Sequence, residues 1–131
     1  MGYEKHLNKE IPTDFGNYIK DKRLENKWSL RSLAAKIGIT ATYLNDIETG
    51  NRPAPPEDKL MLIAKTFNVD LDKKELYKYF DLAADTRNTI PIDIEKFLMT
   101  NPMFIDFIRK ITSQQLITVS NVNELLGNLK K

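Results

Sequence analysis

Residues 29–52 read SLRSLAAKIGITATYLNDIETGNR, and their periodicity describes two short helices joined by a tight turn. Leu30, Leu33, Ala34 and Ile37 recur at i, i+3, i+4 and i+7, which puts them on one face of a first helix behind Ser29. Gly38 breaks that pattern. A second helix opens behind Thr40, a favourable N-cap residue. It hides Leu44 and Ile47 and presents Ala41, Thr42, Asn45 and Asp46 on another face. Gly50 stands where a C-cap glycine would close it.

These residues make the stretch similar to the helix-turn-helix of the Cro and phage-repressor type, the XRE family of regulators. The family pattern has a small residue inside the first helix, a glycine in the turn and apolar residues around both. Here those are Ala34, Gly38, and Leu33, Ile37, Ile39, Leu44 and Ile47. Ala34 lets the two helices cross closely, and Gly38 can take a positive φ at little steric cost. The resemblance implies an all-α protein, with a five-helix lambda-repressor-like domain whose second motif helix lies in the major groove of double-stranded DNA.

Carried over position by position, the resemblance implies that Ala41, Thr42, Asn45 and Asp46 face base edges, with Tyr43 on the margin. It implies that Ser29, Arg31, Thr40, Asn51 and Arg52 meet the sugar-phosphate backbone, and that Arg23 in helix 1 pairs with Glu48 as a structural ion pair. The residue chemistry fits these roles. Ala41 and the Thr42 methyl suit a thymine methyl, Asn45 suits adenine N6 and N7, and Asp46 can accept from cytosine N4. A negative charge is costly near phosphates, so orienting Arg31 or Arg52 is an equal alternative for Asp46. Some phage repressors carry paired glutamines where this chain has Ala41 and Thr42, so the resemblance assigns no operator sequence.

With 131 residues the chain is long enough to bury a core without covalent staples. It has no cysteine, which excludes disulfides, a thiol nucleophile and a cysteine-based zinc site. Its one histidine, His6, sits in a polar leader and reads as a solvated side chain. No glycine-rich loop cradles a nucleotide, and no serine or threonine of the motif has a histidine base beside it. The expectation is therefore a non-enzyme with no catalytic residues, no metal and no cofactor. No membrane-length apolar run and no apolar leader occur, so a soluble, cytoplasmic protein is expected.

Net charge is only +2, but from Phe15 to Arg52 seven basic residues face four acidic ones. Such a small local surplus requires that affinity come from the placement of the charges and from doubling the site. The chain divides into an N-terminal arm over 1–12, the helix-turn-helix domain over 13–84 and a C-terminal helical extension over 85–131. Thr13 and Asp14 offer caps for helix 1, with Phe15, Tyr18 and Ile19 as its buried stripe and Gly16 weakening its first turn. Trp28, just before Ser29, reads as core in the manner of a hydrophobic staple.

Beyond Gly50 the proline-rich loop NRPAPPE delays helix 4, which carries Leu60, Ile63, Ala64 and Phe67, and Val69 completes the small core. Asp72 and Glu75 have capping-box spacing and open helix 5 with Leu76, Tyr79, Phe80 and Ala83. ADTRNTIP reads as a polar linker. Two helices separated by Asn101-Pro102 follow, with a last helix behind Ser120 that ends at Lys130-Lys131.

The apolar density between Ile92 and Ile111 exceeds one buried face per helix, so that surface either packs back on the first domain or makes a subunit interface. The leading expectation is a sequence-specific DNA-binding transcriptional regulator, a repressor acting as a homodimer. The alternative is an antitoxin that regulates its own operon and neutralises a toxin protein through the C-terminal part. A third reading is an interaction protein whose motif no longer binds DNA.

Overall fold

A computed structural model describes residue 11 and residues 13–129. The rest of the expected arm, with His6, and the Lys130-Lys131 tail lie outside the described residues. Among the described residues there are eight α-helices, one 3-10 turn and no strand, so the all-α expectation holds. The helices are α1 (Asp14–Glu25), α2 (Leu30–Ile37), α3 (Ala41–Thr49), α4 (Glu57–Thr66), α5 (Lys73–Arg87), α6 (Ile92–Thr100), α7 (Met103–Ser113) and α8 (Val119–Asn128). The 3-10 turn, Val69–Leu71, lies between α4 and α5.

Side chains and glycines set the limits of the two motif helices. Ser29 Oγ accepts from the Ser32 amide at 3.0 Å and Thr40 Oγ1 from the Tyr43 amide at 3.1 Å, so each helix is capped by the hydroxyl in front of it. Gly38 and Gly50 take φ of 70° and 81° and close α2 and α3 in the left-handed region that other residues enter only at a cost. Thr13, by contrast, makes no side-chain cap for α1.

The chain divides into two compact units, one ending at Asp93 and one beginning at Ile94. In the first, Phe15 and Ile19 of α1, Leu33, Ala34 and Ile37 of α2, Leu44 and Ile47 of α3, and Leu60 and Ile63 of α4 are buried together. Val69 and Tyr79 close the far side. Tyr79 is fully buried among Phe15, Tyr18 and Phe80, and its hydroxyl donates to the Leu60 carbonyl at 2.6 Å, which satisfies its polar end. Trp28 is half-buried instead of central. It stacks on Phe67 with ring centroids 5.8 Å apart, and Lys36 Nζ lies 4.7 Å above its ring.

Three local expectations change. Asp72 does cap α5, accepting from the Lys74 and Glu75 amides at 3.0 and 3.5 Å. The Glu75 carboxylate, however, turns to α1, where it accepts from the Tyr18 hydroxyl and meets Lys22 Nζ, each at 2.7 Å. Helix α5 also runs on through Asp85, Thr86 and Arg87, which the sequence pattern gave to a linker, because Thr86 is buried and finds backbone partners there. Finally, α8 starts at Val119 behind Thr118, whose hydroxyl accepts from the Asn121 amide at 3.3 Å while the Asn121 side chain accepts from the Thr118 amide at 3.1 Å. That reciprocal box outcompetes Ser120 as the start.

In the second unit the Phe97 and Phe104 rings lie 4.9 Å apart across the Asn101-Pro102 break. No residue of α6, α7 or α8 is buried, and Phe107, Val122, Leu125 and Leu126 are all exposed.

At Gly16, α1 approaches the backbone of α3 closely. A Cβ there would stand 2.5 Å from the Ile47 and Glu48 carbonyl oxygens, which are backbone and cannot rotate away. Gly16→Ala should therefore destabilise the domain by about 1–3 kcal/mol, read as a lowered urea midpoint, although alanine favours helix. Glu75 gives a second test. Its carboxyl is held below the usual carboxylate range, mainly by Lys22 and then by the Tyr18 hydroxyl. The unfolded chain thus takes up this proton first as pH falls. The contribution is full above the ordinary glutamate pKa and disappears as pH drops through the lower folded value. Glu75→Gln should flatten the acid limb of the stability profile and leave the neutral-to-alkaline part unchanged in shape.

Candidate nucleic-acid interface

The site is built on a helix held from behind. Arg23 and Glu48 are only 7% and 5% exposed, and they meet as a two-pronged pair, Nε to Oε2 at 2.8 Å and Nη2 to Oε1 at 3.0 Å. The third guanidinium edge donates from Nη1 to the Trp28 carbonyl at 2.9 Å, so α1, the α1–α2 turn and the end of α3 share one cation. The Glu48 contact holds Arg23 still more firmly protonated. A buried charge without its partner would be costly, so this pair acts as a geometric lock.

With its inner side fixed by Leu44, Ile47 and Glu48, α3 turns the other side outward. Thr42 and Asn45 are exposed, Asp46 is partly covered, and Ala41 and Tyr43 are half-buried against the core. The outward face borders two concavities. One, of about 350 Å³, is lined by Thr40, Thr42, Tyr43, Asp46 and Arg52. The other, of about 460 Å³, brings Asn45 and Thr49 of α3 together with Asn17 and Lys20 of α1 and with Thr13 just in front of α1. Ser29, Arg31 and Asn51 line neither concavity, although all three are exposed.

Thr13, Asn17 and Lys20 were not singled out from sequence as site residues. Their spacing at i, i+4 and i+7 is a readable stripe, but only the α1–α3 crossing turns that stripe toward the motif. Asp46 is tied to the loop by backbone: the Arg52 amide donates to its carbonyl at 3.1 Å. Among the described residues its carboxylate makes no ion pair with Arg31 or Arg52. Of the seven cations counted between Phe15 and Arg52, Lys22 and Arg23 are engaged by Glu75 and Glu48. Lys20, Lys27, Arg31 and Arg52 carry no ion pair among the described residues.

The two caps are also polar in a useful sense. Each cap hydroxyl serves the third amide of its helix, which leaves the first amides, at Leu30 and Arg31 and at Ala41 and Thr42, directed along the helix axis. Neither first turn carries an acidic residue. Amides and helix dipole therefore favour an anion at both points.

This geometry is that of a helix-turn-helix domain, and a family model described as "Helix-turn-helix" matches residues 19–74. That segment is similar to the helix-turn-helix of the XRE, Cro and phage-repressor type. A curated relative, the ImmF control region 10 kDa protein of Bacillus phage phi105, is 42% identical over 57 residues. The shared region covers 44% of this chain and 62% of that protein, so the chain spans less than two thirds of its relative. No solved structure matches the chain significantly. Helices α6 to α8 lie outside the family match. No described helix is long and apolar enough to cross a membrane.

The lock can be tested apart from any ligand. Glu48→Ala should cost about 3–5 kcal/mol in chemical unfolding, because it strands the Arg23 charge. Replacing both residues together, Arg23→Met with Glu48→Leu, should recover most of that loss. Equal destabilisation by the single and double replacements would refute the account.

Proposed function

We propose that the chain is a DNA-binding transcription regulator, a repressor that reads the major groove with α3 and binds as a homodimer. The observation that carries this reading is the outward face of α3, with Thr42, Asn45 and Asp46 presented on a helix locked by Arg23 and Glu48. The helix-turn-helix match and the phage control-region relative support it. Asn45 suits an adenine edge, Thr42 and Ala41 suit a thymine methyl, and Asp46 either accepts from cytosine or keeps phosphate at a distance. Ser29 and Thr40, with the amides behind them, and Arg31, Asn51 and Arg52 provide the backbone contacts. No catalytic role is assigned to any residue.

The homodimer reading rests on the second unit. Helices α6 to α8 leave most of their large apolar side chains exposed in a single chain, and residues 94–129 carry three acidic and three basic side chains. A charge-balanced apolar surface does not repel its own copy. Two copies then present two recognition helices to half-sites about 34 Å apart. The same exposed helices favour one other reading, an antitoxin whose C-terminal part covers a toxin protein.

Selection of bound duplexes from a random pool should return a near-palindrome. Thr42→Ala with Asn45→Ala should abolish selectivity for it, at about 1–3 kcal/mol for the Asn45 contact, without lowering the melting temperature. Retained selectivity at fixed salt would refute the face assigned here. Light scattering of the pure chain should give a dimer at micromolar concentration. A monomer that forms a stoichiometric complex with a co-purified protein from its host would replace the homodimer by the antitoxin reading.

A further inference from the structure

The loop after α3 has few backbone donors. Pro53, Pro55 and Pro56 have no N–H, so from Arg52 to Pro56 only Arg52 and Ala54 can donate from the main chain. Both are engaged, and in opposite directions. The Arg52 amide donates to the Asp46 carbonyl of α3 at 3.1 Å. The Ala54 amide donates to Thr86 Oγ1 of α5 at 2.8 Å. The Ala54 carbonyl is taken as well, accepting from Arg87 Nε at 2.8 Å. Ala54 is fully buried, so neither of its polar groups has water as an alternative.

Thr86 is oriented for this task. Its hydroxyl proton goes to the Ala83 carbonyl at 2.7 Å, which turns an oxygen lone pair toward Ala54. The loop is thus tied to the recognition helix by Arg52 itself and to the last turn of α5 two residues later, at Ala54. The Arg52 side chain borders the concavity shared with Thr42 and Asp46, and no described residue pairs with its guanidinium. Its position beside α3 is therefore set by the path of the loop.

We infer that Thr86 and Arg87 are positioning residues for the Arg52 contact to the DNA backbone, acting through the two hydrogen bonds to Ala54. The inference rests on the DNA-binding reading proposed above. Thr86 is buried and cannot itself touch DNA, so any effect of its hydroxyl on binding must pass through the loop.

The test measures binding of the full chain to a mixed-sequence duplex of about 30 base pairs over a salt series, because each phosphate contact adds about 0.9 to the slope of log K against log salt. Arg52→Ala should make that slope about one less negative. Thr86→Val and Arg87→Ala should each move it in the same direction and weaken binding several-fold, whereas Thr86→Ser, which keeps the hydroxyl, should match the unaltered protein. Combined with Arg52→Ala, the Arg87→Ala change should have no further effect.

A merely structural role would lower the melting temperature and leave the slope unchanged. Should the valine variant not fold, Arg87→Ala alone and its cycle with Arg52→Ala decide the matter. Unchanged slopes in variants of a protein that does bind DNA, or additive losses in the cycle, would overturn the inference and leave the DNA-binding reading standing. Failure of the unaltered chain to bind any duplex with a steep salt dependence would overturn that reading, and the inference with it.

Discussion

The first unit depends on how α1 is joined to the end of α3. Two charges are taken almost wholly out of water at Arg23 and Glu48, and that desolvation is offset only because the guanidinium is satisfied on three sides at 2.8 to 3.0 Å. Apolar side chains could hold the helices together equally well, but they would tolerate a slide of one helix along the other. Fixed prongs do not. The nearby contact of Gly16 with the Ile47 and Glu48 carbonyls removes the remaining freedom in depth, so the axis of α3 is defined in both distance and register.

A fixed axis makes the rest of the surface meaningful. Helices α2 and α4 fill the space behind α3 with Leu33, Ile37 and Ile63, and α5 closes the side away from it with Tyr79. The polar bonds at the margin each tie one element to another: Tyr18 and Lys22 to Glu75, Tyr79 to Leu60, and Ala54 to Thr86 and Arg87. Each connects segments distant in sequence, and together they frame α3 without covering its outward face. Rigid support of this kind lets a nine-residue helix present side chains at fixed spacing, which isolated helices of that length cannot do.

Much of this was legible because the relevant forces are local. Apolar period, Ser29 and Thr40 as caps, and Gly38 and Gly50 as stops all act within a turn or two of the chain, so they are written in consecutive residues. What escaped depends on contacts far apart in sequence. Gly16 looked like a weak spot in a helix and proves to be a clearance for backbone 31 residues away. Glu75 had the spacing of a capping box, but the phenol and ammonium of α1 compete for its carboxylate. Thr86 and Arg87 looked like linker because they are polar, and polarity cannot reveal that Ala54 needs a donor and an acceptor at that point. The stripe of Thr13, Asn17 and Lys20 along the start of α1 was visible as a stripe, but not as a neighbour of Asn45.

The C-terminal helices pose the opposite problem, since their pattern is clear and their burial is missing. Helices of 9, 11 and 10 residues are too short to persist by propensity alone, and without a buried face little opposes their conformational entropy. On the proposed reading a second copy supplies that burial, and association and helix formation become one equilibrium. A local surplus of three positive charges gives a single domain only weak non-specific attraction to DNA. Joining two domains turns the second contact into an intramolecular one, with an effective concentration fixed by the linkage and no new contact required. The small charge of the first unit and the apolar excess of the second are then complementary parts of one arrangement, in which occupancy of DNA rises steeply with protein concentration because dimerisation and binding are linked.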